Sequence, residues 1–373
     1  MLYVDIPTLS EIRALIAARA DACISIYVST TPETQHIKAS RIAFGNLAKA
    51  ALQQLDNAGF DKRRRALLED ELARLGEDEE FWRLQARSLA VLATPEGVRT
   101  FRLATAISDM ATVSDRFQLK PLLRAIAFPQ HAFVIALSVN AVRLVEVFAD
   151  SPPSVVRIPD LPKSAADATG RASVNDLTQN TRVANAEGRK ILLRQYARQV
   201  DTALRAVLSE RETPIILAAT EPLDSIFRSI STYPSLLETG IATSPDRDSN
   251  EQLAQAARQV LDGHYAGEVD AAKALYKTRL GQRRATTDID VAARAATMGA
   301  IQLLLVDLDR VLVGVVDEND GKVSLAPAPG AARYDVIDEI AGRAILSGAK
   351  FLAVRRADIP GEAALAAILR YPF

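Results

Sequence analysis

The chain has 373 residues, of which 49% are hydrophobic and 24% charged, with a formal net charge of -1 and a pI near 6.4. This length and composition allow two or three domains with real cores, so a disordered or fibrous protein is excluded. The near-zero net charge excludes a globally basic nucleic-acid coat. Any contact with RNA must therefore come from local basic patches.

The sequence predicts neither a disulfide nor a metal or cofactor site. Cys23 is the single cysteine, and the histidines His36, His131 and His264 are too scattered to give metal-ligand spacing. The first seven residues, from Met1, lack the basic and apolar regions of a signal peptide, and no apolar run approaches a membrane span. We therefore expect a cytoplasmic protein without a membrane partner.

Residues 1–118 are predicted to form an N-terminal α/β domain. Ser10 is the expected N-cap of a helix ending near Ala20, and residues 23–28 should form a strand. A long amphipathic helix follows, whose predicted buried stripe consists of Ile42, Leu47, Leu52 and Leu55. The remaining predicted elements are a helix over residues 62–75 and two strands joined at Pro95, over residues 88–94 and 97–103.

Residues 119–284 are predicted to form a middle domain that opens with a hairpin over residues 133–138 and 141–148. Residues 161–188 show neither a period of 2 nor one of 3.6, and are predicted to form a long loop. Loops of this length inside compact domains are commonly functional or disordered. The elements predicted next are a helix over residues 189–211, a buried strand over 214–219, and two helices over 252–261 and 269–279.

Residues 285–373 alternate helices and strands in an order that predicts a three-layer α/β/α sandwich. A helix should end at Gly299, strands are expected over residues 301–307 and 311–316, and Asn319-Asp-Gly is a turn signal. The elements predicted after this turn are a strand over residues 322–326, a helix over 334–346, a strand over 351–355, and a last helix running into an apolar C-terminal strand.

Three segments of this last domain carry a family resemblance in matching order. They are Ala295-Ala-Thr-Met-Gly-Ala-Ile-Gln-Leu-Leu-Leu-Val, then Asp338-Glu-Ile-Ala with Ser347-Gly-Ala-Lys, and finally Ala366-Ala-Ile-Leu-Arg-Tyr-Pro. They resemble the C-terminal domain of class-1 peptide-chain release factors of the archaeal and eukaryotic kind. Cys23-Ile-Ser-Ile-Tyr-Val-Ser is similar to a strand near the start of these factors.

Because archaeal-style decoding motifs are missing, the chain resembles the bacterial, Pelota-like branch of this superfamily, which includes hibernation and rescue relatives. The resemblance implies three α/β domains. The middle one would be ribonuclease-H-like, and the C-terminal one would belong to the kink-turn-binding ribosomal-protein type.

The catalytic tripeptide of that family is missing from the sequence. Release factors hydrolyse peptidyl-tRNA with Gly-Gly-Gln on a middle-domain loop, where glycine permits unusual backbone angles and Gln positions water. The corresponding region here reads Thr169-Gly-Arg-Ala-Ser-Val-Asn-Asp-Leu-Thr-Gln. Gly170 and Gln179 are the catalytic candidates it offers, whereas Gly281-Gln282 is interpreted as a helix end.

Several basic residues are candidates for contact with RNA phosphates, because Lys and Arg supply sequence-independent affinity. The segment from Gln35 to Arg41 lies where the family has Asn-Ile-Lys-Ser, but its extra Ala39 and missing Asn put codon reading in doubt. The candidates are Lys38 and Arg41 in this segment, Arg171, Arg182 and Arg189 in and beside the long loop, and Lys190, Arg194 and Arg198 at helical spacing after it. For each, a solvated helix face is the alternative interpretation.

Three functions stay open on the sequence alone. The first is a non-catalytic, ribosome-associated factor that binds ribosomal RNA or tRNA in the A-site region during hibernation, rescue or stress. The second is a peptidyl-tRNA hydrolase that uses a diverged loop, and the third is a protein-binding module whose C-terminal domain recruits a translational GTPase. The lost tripeptide favours the first. Asp307 and Asp309 are interpreted as a polar strand end rather than metal ligands.

Overall fold

The computed structural model of the chain describes residues 4–5, 7–31, 36–127, 131–148, 152–170, 182–208, 213–307, 309–326 and 333–373. They form two compact units, one combining Met1–Phe128 with Ala266–Phe373 and the other spanning Pro129–Tyr265. Each of the three predicted segments contributes its own β-sheet with helices packed on it. The predicted α/β fold is therefore confirmed. The first and third segments share one unit.

The N-terminal segment folds around an antiparallel sheet. Its elements are α1 (Leu9–Ala17), β1 (Cys23–Ser29), α2 (Ile37–Asn57), α3 (Lys62–Glu77), α4 (Glu79–Arg83), β2 (Ser88–Thr94), β3 (Gly97–Leu103), β4 (Met110–Ser114) and α5 (Lys120–Ala127). The strand order is β3-β2-β1-β4. Ile24 and Ile26 face a core with Phe44 of α2 and Leu68 of α3, whereas Tyr27 faces the opposite core. Both faces of the sheet are thus covered, which explains why every residue of β1 before Ser29 is buried.

Two details predicted for the first helices are wrong. Thr8, not Ser10, is the N-cap of α1, because its hydroxyl accepts from the Glu11 N–H while the Glu11 carboxylate accepts from the Thr8 N–H. Ile42 is 65% exposed, because the buried stripe of α2 is rotated toward Phe44, Ala48 and Ala51. The predicted strands β1, β2 and β3 are confirmed, whereas α4 and β4 were not predicted.

The middle unit is a layered α/β structure. Its elements are β5 (His131–Leu137), β6 (Val142–Phe148), β7 (Ser154–Val156), α6 (Ala165–Thr169), α7 (Arg182–Leu208), β8 (Ile215–Ala218), α8 (Leu223–Arg228) and the first part of α9 (Asn250–Leu280). The strand order is β7-β6-β5-β8, in which β5 pairs antiparallel with β6 and parallel with β8. Helices α7 and α8 cover one face, and α9 covers the other. The predicted hairpin is confirmed.

The C-terminal segment has the predicted three-layer arrangement, but one helical layer comes from α9, which lies outside the predicted residues 285–373. Its elements are β9 (Ala285–Thr286), α10 (Ile289–Thr297), β10 (Ile301–Asp307), β11 (Val313–Val316), β12 (Val323–Leu325), β13 (Tyr334–Asp335), α11 (Val336–Leu346), β14 (Lys350–Val354) and β15 (Leu365–Leu369). The central sheet has the order β14-β10-β15-β9, and β12-β11-β13 form a smaller sheet. Helices α10 and α11 pack on one face of the central sheet, and Val269 and Tyr276 of α9 pack on the other.

Two further predictions about this part of the chain are wrong. The helices predicted over residues 252–261 and 269–279 are a single helix, α9, which continues through Gly263 and Gly267. The helix predicted before the last strand is replaced by two short 3-10 turns, Arg356–Asp358 and Pro360–Glu362. The apolar C-terminal strand itself is confirmed as β15, which is buried along its length between β10 and β9.

The turn predicted at Asn319-Asp-Gly joins β11 to β12, and its glycine gives a testable prediction. Gly321 has φ +72, and a Cβ at this position would lie 2.7 Å from the Arg294 Cα. Gly321→Ala is expected to lower the free energy of unfolding by about 2–4 kcal/mol, since backbone strain and a collision with α10 add. Urea unfolding followed by the fluorescence of Trp82, the chain's single tryptophan, measures this change.

The matched control for this prediction is Gly361→Ala. Gly361 has φ +67, but a Cβ at this position would have no described atom within 4 Å. Its substitution therefore introduces backbone strain alone, about 1–2 kcal/mol. Equal losses in the two variants would contradict the close approach of the turn to α10.

Candidate nucleic-acid interface

Helix α7 carries the basic residues predicted to meet RNA, and its position in the middle unit is fixed by an apolar stripe. Leu193, Tyr196, Val200 and Leu204 recur at helical spacing and are completely buried against the sheet. The helix begins at Arg182, so the long loop predicted over residues 161–188 is wrong at this end. From Leu192 onward the helix packs against the sheet of the middle unit, which fixes the orientation of its outer face.

The other end of the predicted loop is also helical. Ser164 caps α6 by accepting from the Asp167 N–H, and Gly170 ends it in the left-handed conformation with φ 64. Gln199 of α7 donates its side-chain N–H to the Ala168 carbonyl at 2.9 Å, which ties the two helices together. Gly170 therefore has a structural role as a helix C-cap.

The outer face of α7 is positively charged. Arg189, Lys190, Arg194 and Arg198 are all exposed, and none of these side chains makes a hydrogen bond or ion pair within the described part of the chain. On the described part of this helix, Glu187 is the acidic residue that precedes these cations in sequence. The next acidic residue, Asp201, is buried and paired with Arg205. We call the four cations the α7 basic face.

Other arginines of the middle unit are engaged in holding the fold together. Arg143 donates to the carbonyls of Pro245 and Asp248, Arg258 donates to the Phe148 carbonyl, and Arg228 pairs with Asp224. The cations of the α7 basic face differ because no described residue pairs with them. Lys190, Arg194 and Arg198 repeat every four residues and project from one side, so together they can follow a phosphate backbone.

An exposed apolar side chain lies within the same surface. Ile191 is 64% exposed and is followed by the exposed residues Arg194 and Gln195 at the next turn. An aliphatic contact beside cations can pack against a ribose or the edge of a base that adjoins a phosphate. The arrangement can bind RNA, but its described residues include no group positioned for hydrolysis.

The remaining sequence candidates have different surroundings. Lys38 is exposed in the first turn of α2, whereas Arg41 donates from Nε to the Gly76 carbonyl at 2.9 Å and thereby joins α2 to the end of α3. Arg171 and Gln179 lie outside the described residues. Arg182 is the first residue of α7, and its side chain is not among those described. The structure thus brings together the four α7 cations and keeps Lys38 and Arg41 on a separate unit.

In the basic run Lys62–Arg65 at the start of α3, two of the four cations are paired with carboxylates. Arg64 pairs with Asp21 and Glu96, and Arg65 lies 2.6 Å from both Asp56 and Glu69. These ion pairs indicate that Arg64 and Arg65 belong to an ordinary charged helix surface. Near the end of α9, Arg284 donates to the carbonyls of Leu369 and Arg370 and anchors the C-terminal strand.

A buried ionic cluster in the first unit was missed by sequence reasoning. Lys120 Nζ lies 2.5 Å from Asp335 Oδ2, with side chains 3% and 1% exposed. Arg116 Nη1 lies 2.7 Å from Glu339 Oε2. The other carboxylate oxygen, Oε1, lies 2.7 Å from Arg343 Nε. Lys120 and Arg116 are each more than 200 residues from their partners, so spacing could not reveal these pairs. The one available signal was the unusually acidic start of an otherwise apolar helix, α11.

Asp338 is the most perturbed carboxyl group of this cluster. Its Oδ2 accepts from the Leu119 N–H at 2.6 Å, while Oδ1 is buried without a hydrogen-bond partner among the described residues. Burial, reinforced by the negative charge of Asp335, raises the pKa of Asp338 to about 7. Burial also acts to raise the pKa of neighbouring Glu339, but Arg116 and Arg343 lower it below its usual value. The two adjacent carboxyls therefore differ in charge near neutral pH.

The raised pKa of Asp338 predicts a specific pH dependence of stability. The folded state holds this proton up to about pH 7, whereas the unfolded chain releases it near pH 4. The free energy of unfolding therefore falls as the pH rises from 4 to 7. The Asp338 contribution to this fall is on the order of 4 kcal/mol, since its pKa differs by about three between the two states. Asp338→Asn should abolish this contribution, so the variant becomes more stable relative to the natural protein at pH 8 than at pH 5.

Urea unfolding at pH 5, 6, 7 and 8, followed by Trp82 fluorescence, measures this difference. Carboxyl groups with a lowered pKa, such as Glu339, make the opposite contribution to the pH dependence of stability. Because both proteins contain them, their contribution cancels in the stability difference. A stability difference between variant and natural protein that stays constant over this range would refute a proton held on Asp338.

No group of three or more His, Cys, Asp or Glu side chains in the described ranges is arranged to hold a metal ion. Asp307 Oδ1 accepts from the Asp309 N–H at 3.0 Å, which agrees with a polar strand end. None of the described helices combines the length and apolar character needed to cross a bilayer.

Residues 129–267 match the model of "Bacterial archaeo-eukaryotic release factor family 11". The matched segment coincides with the middle unit that contains the α7 basic face. The resemblance to the bacterial branch of the archaeal and eukaryotic release-factor superfamily is thereby confirmed for residues 129–267.

Solved structures show similar chains at low identity. They include an archaeal translation termination factor, aRF1, with 13% identity, 98% of this chain and 99% of that chain covered, and a TM-score of 0.24. Dom34 from S. cerevisiae, described as a translation termination-like factor that interacts with Hbs1, gives 14% identity, 77% and 80% coverage, and a TM-score of 0.42. Pelota from Archaeoglobus fulgidus gives 10% identity, 99% and 94% coverage, and a TM-score of 0.29. No curated protein sequence matches the chain.

Proposed function

We propose that this protein is a ribosome-associated, release-factor-like factor that binds RNA through the α7 basic face and does not hydrolyse peptidyl-tRNA. The observation that carries the proposal is the set of four exposed cations, without partners among the described residues, on a helix whose opposite face is completely buried. Such cations interact with phosphates through Coulomb attraction and counterion release. The family match of the same unit supports a ribosomal target.

The non-catalytic part of the proposal rests on the sequence and on the role of Gly170. No Gly-Gly-Gln occurs anywhere in the chain. Gly170 ends α6, so its conformation serves the helix terminus. The proposal places the factor in the cytosol, in the A-site region of idle or stalled ribosomes, during hibernation, rescue or stress. A ribonuclease-H-like middle domain and a C-terminal domain of the kink-turn-binding type belong to the same proposal.

Co-sedimentation of the full chain with vacant ribosomes and with ribosomes stalled on truncated mRNA tests the binding. We expect binding at low salt that weakens steeply as salt is raised. The slope of log affinity against log salt should correspond to about three or four phosphate contacts. Failure to bind either kind of ribosome at low salt would eliminate the proposal. A parallel assay of peptide release from stalled ribosomes should give the uncatalysed rate, and release above that rate would favour the diverged hydrolase instead.

We further propose a docking surface for a translational GTPase on the C-terminal segment, supported by a group of exposed apolar side chains. Arg370 donates to the carbonyls of Gly299 and Ser347, which brings the neighbouring residues Met298, Leu346 and Tyr371 into one region. These three side chains are 59%, 43% and 49% exposed. Dom34, one of the structurally similar proteins, interacts with Hbs1.

A binding assay between the full chain and a purified translational GTPase tests this docking surface. Met298→Glu is expected to abolish the interaction, whereas Val155→Glu, which changes an exposed apolar residue of the middle unit, should leave it intact. Absence of binding by the natural protein would reject the docking surface without affecting RNA binding by α7.

A further inference from the structure

The first unit contains a cavity of about 650 Å³ that borders residues 111–114, four consecutive residues of β4. Side chains of a strand alternate between its two faces, and those of Ala111 and Val113 pack in the core beneath α2. A cavity that borders all four residues therefore runs along the edge of the strand. This cavity belongs to the first unit, whereas the α7 basic face belongs to the other.

The other residues that line the cavity come from both faces of the N-terminal sheet. On the α2 face they are Gln54, Asn57 and Ala58, and on the opposite face they include Ile16, Phe117 and Leu123. The strand order β3-β2-β1-β4 makes β4 an edge strand, so the cavity connects the two faces by passing beside it. We call this space the β4 groove.

The backbone of β4 presents hydrogen-bonding groups to the β4 groove. The Ala111 carbonyl accepts from Gln54 Nε2 at 3.0 Å, so it points away from β1. Backbone groups of an antiparallel strand alternate in direction, so those of Val113 point the same way. The N–H groups of Ala111 and Val113 and the Val113 carbonyl have no hydrogen-bond partner among the described residues. An edge of this kind is a template for another strand.

The ladders on the two sides of β1 give the same directions. The Thr30 N–H donates to the Arg87 carbonyl on the β2 side, so the even-numbered residues of β1 face β2 and the odd-numbered residues face β4. The odd-numbered residues pair with Met110, Thr112 and Ser114. The residues between these three are therefore the ones that direct their backbone groups outward.

The walls of the β4 groove determine which side chains an added strand would carry. One wall is apolar, whereas Gln54 and Asn57 on the other wall are polar and uncharged. Because successive side chains of a strand point to opposite faces, apolar and polar residues should alternate. Arg19 and Arg116 also line the groove, but Glu339 pairs with both. These cations are compensated within the protein, so the groove favours an uncharged segment.

We propose that the β4 groove binds an extended segment of another protein, in which apolar residues alternate with uncharged polar residues. The segment adds a strand to β4 through hydrogen bonds with the backbones of Ala111 and Val113. Its apolar side chains pack against Phe117 and its neighbours, and its polar side chains lie beside Gln54 and Asn57. The edge over residues 111–114 has room for about four residues of the segment, or about 13 Å of strand.

The first test uses the full-length protein and a capped hexapeptide of alternating leucine and serine. Isothermal titration measures the affinity, and amide hydrogen exchange followed by NMR locates the contact. We expect a millimolar or lower dissociation constant and at least tenfold slower exchange of the Ala111 and Val113 amides. The amide of Thr100, on the opposite edge strand β3, should exchange at an unchanged rate. Absence of binding, or binding that leaves the two β4 amides unprotected, overturns the proposal.

Backbone N-methylation of the peptide separates strand addition from apolar contact alone. One version carries methyl groups on the leucine nitrogens and the other on the serine nitrogens. Each version loses the N–H donors of one strand edge while keeping all its side chains. At least one version should bind at least tenfold more weakly than the parent peptide. Losses smaller than tenfold in both versions overturn the proposal.

Ala111→Pro locates the site on β4. Proline removes an outward N–H without breaking a bond to β1, and edge strands tolerate it at such positions. The matched control is Thr100→Pro. The Arg102 carbonyl accepts from the Asp5 N–H away from β2, so the groups of Thr100 also point outward. Ala111→Pro should weaken peptide binding at least tenfold, and Thr100→Pro should leave it unchanged, with circular dichroism verifying the fold.

A second variant changes the β4 groove without altering its strand. Asn57→Trp fills the polar side from the end of α2, and its control, Asn46→Trp, changes an exposed residue of α2 that does not line the groove. Asn57→Trp should weaken peptide binding at least tenfold, and Asn46→Trp should not. If Ala111→Pro does not fold, Asn57→Trp decides alone. Peptide binding that survives the substitutions at Ala111 and Asn57 overturns the assignment to this groove.

Discussion

Lys120→Met is expected to lower the free energy of unfolding of the first unit by about 3–5 kcal/mol, because it leaves the Asp335 carboxylate buried without its cation. The Lys120 and Asp335 side chains are 3% and 1% exposed, and their charged atoms lie 2.5 Å apart. Lys120 also donates to the Arg310 carbonyl. Met preserves most of the aliphatic volume, so the loss reports on charge rather than on packing.

A double-mutant cycle separates the ion pair from other roles of Asp335. The Asp335 Oδ1 atom accepts from the N–H groups of Leu312 and Ile337, both at 3.1 Å, so it also caps α11. Asp335→Asn retains an oxygen for these bonds while removing the charge. We expect Lys120→Met combined with Asp335→Asn to cost at least about 1 kcal/mol less than the sum of the single changes.

The control for this cycle is Lys273→Met. Lys273 pairs with Asp358 at 2.8 Å, but the two side chains are 31% and 39% exposed. Solvent screens such a pair, so its loss should cost less than about 1 kcal/mol. Urea unfolding followed by Trp82 fluorescence measures all four variants. If Lys120→Met costs no more than Lys273→Met, the buried pair does not stabilise the first unit.

The elements that sequence reasoning predicted correctly are those whose burial is set by local pattern. Strands β1, β2 and β10 are mostly apolar and almost completely buried, so their sequence alone marks them. The helix predicted over residues 189–211 corresponds to the later part of α7, whose apolar stripe recurs at helical spacing. Thr8 could also have been identified, because Thr8-Leu-Ser-Glu11 is a capping-box sequence that competes with Ser10.

The errors arise where tertiary packing overrides local preference. Gly263 and Gly267 each disfavour a helix by about 1 kcal/mol, yet α9 continues through both. Leu253, Ala257 and Leu261 pack on the middle sheet, and Val269, Ala272 and Tyr276 pack on the C-terminal sheet. Burial at both ends of the helix outweighs the two glycines. The ionic cluster around Glu339 could not be predicted either, since it depends on contacts between distant segments.

The candidate interface was partly predictable. The spacing of Lys190, Arg194 and Arg198 placed them correctly on one side of a helix, and the structure shows all three exposed without partners in the part of the chain that it describes. The sequence could not distinguish them from the equally basic run at Lys62, where Arg64 and Arg65 are paired with carboxylates. What separates a free cation from a neutralised one is the position of acidic residues brought close by folding.

Reversing two charges on the α7 basic face is expected to weaken ribosome binding by at least about a hundredfold. Arg194→Glu with Arg198→Glu removes two phosphate contacts and adds repulsion, and a hydrogen bond to a charged group contributes about 1.5–3 kcal/mol. The salt dependence should become shallower by about 1.4–1.8 in the slope of log affinity against log salt, because two fewer counterions are released on binding. Both side chains are exposed, so the fold should be preserved.

The matched control changes the same charge on the same unit at a different place. Arg157 and Arg247 are exposed, and their side chains have no described partner, so Arg157→Glu with Arg247→Glu alters the net charge of the chain equally. Co-sedimentation across a salt series, with circular dichroism to verify folding, compares the two pairs. A general electrostatic attraction to the ribosome predicts equal losses. A loss confined to Arg194 and Arg198 identifies α7 as the contacting helix, because only a specific surface can distinguish two pairs of equal charge on one unit.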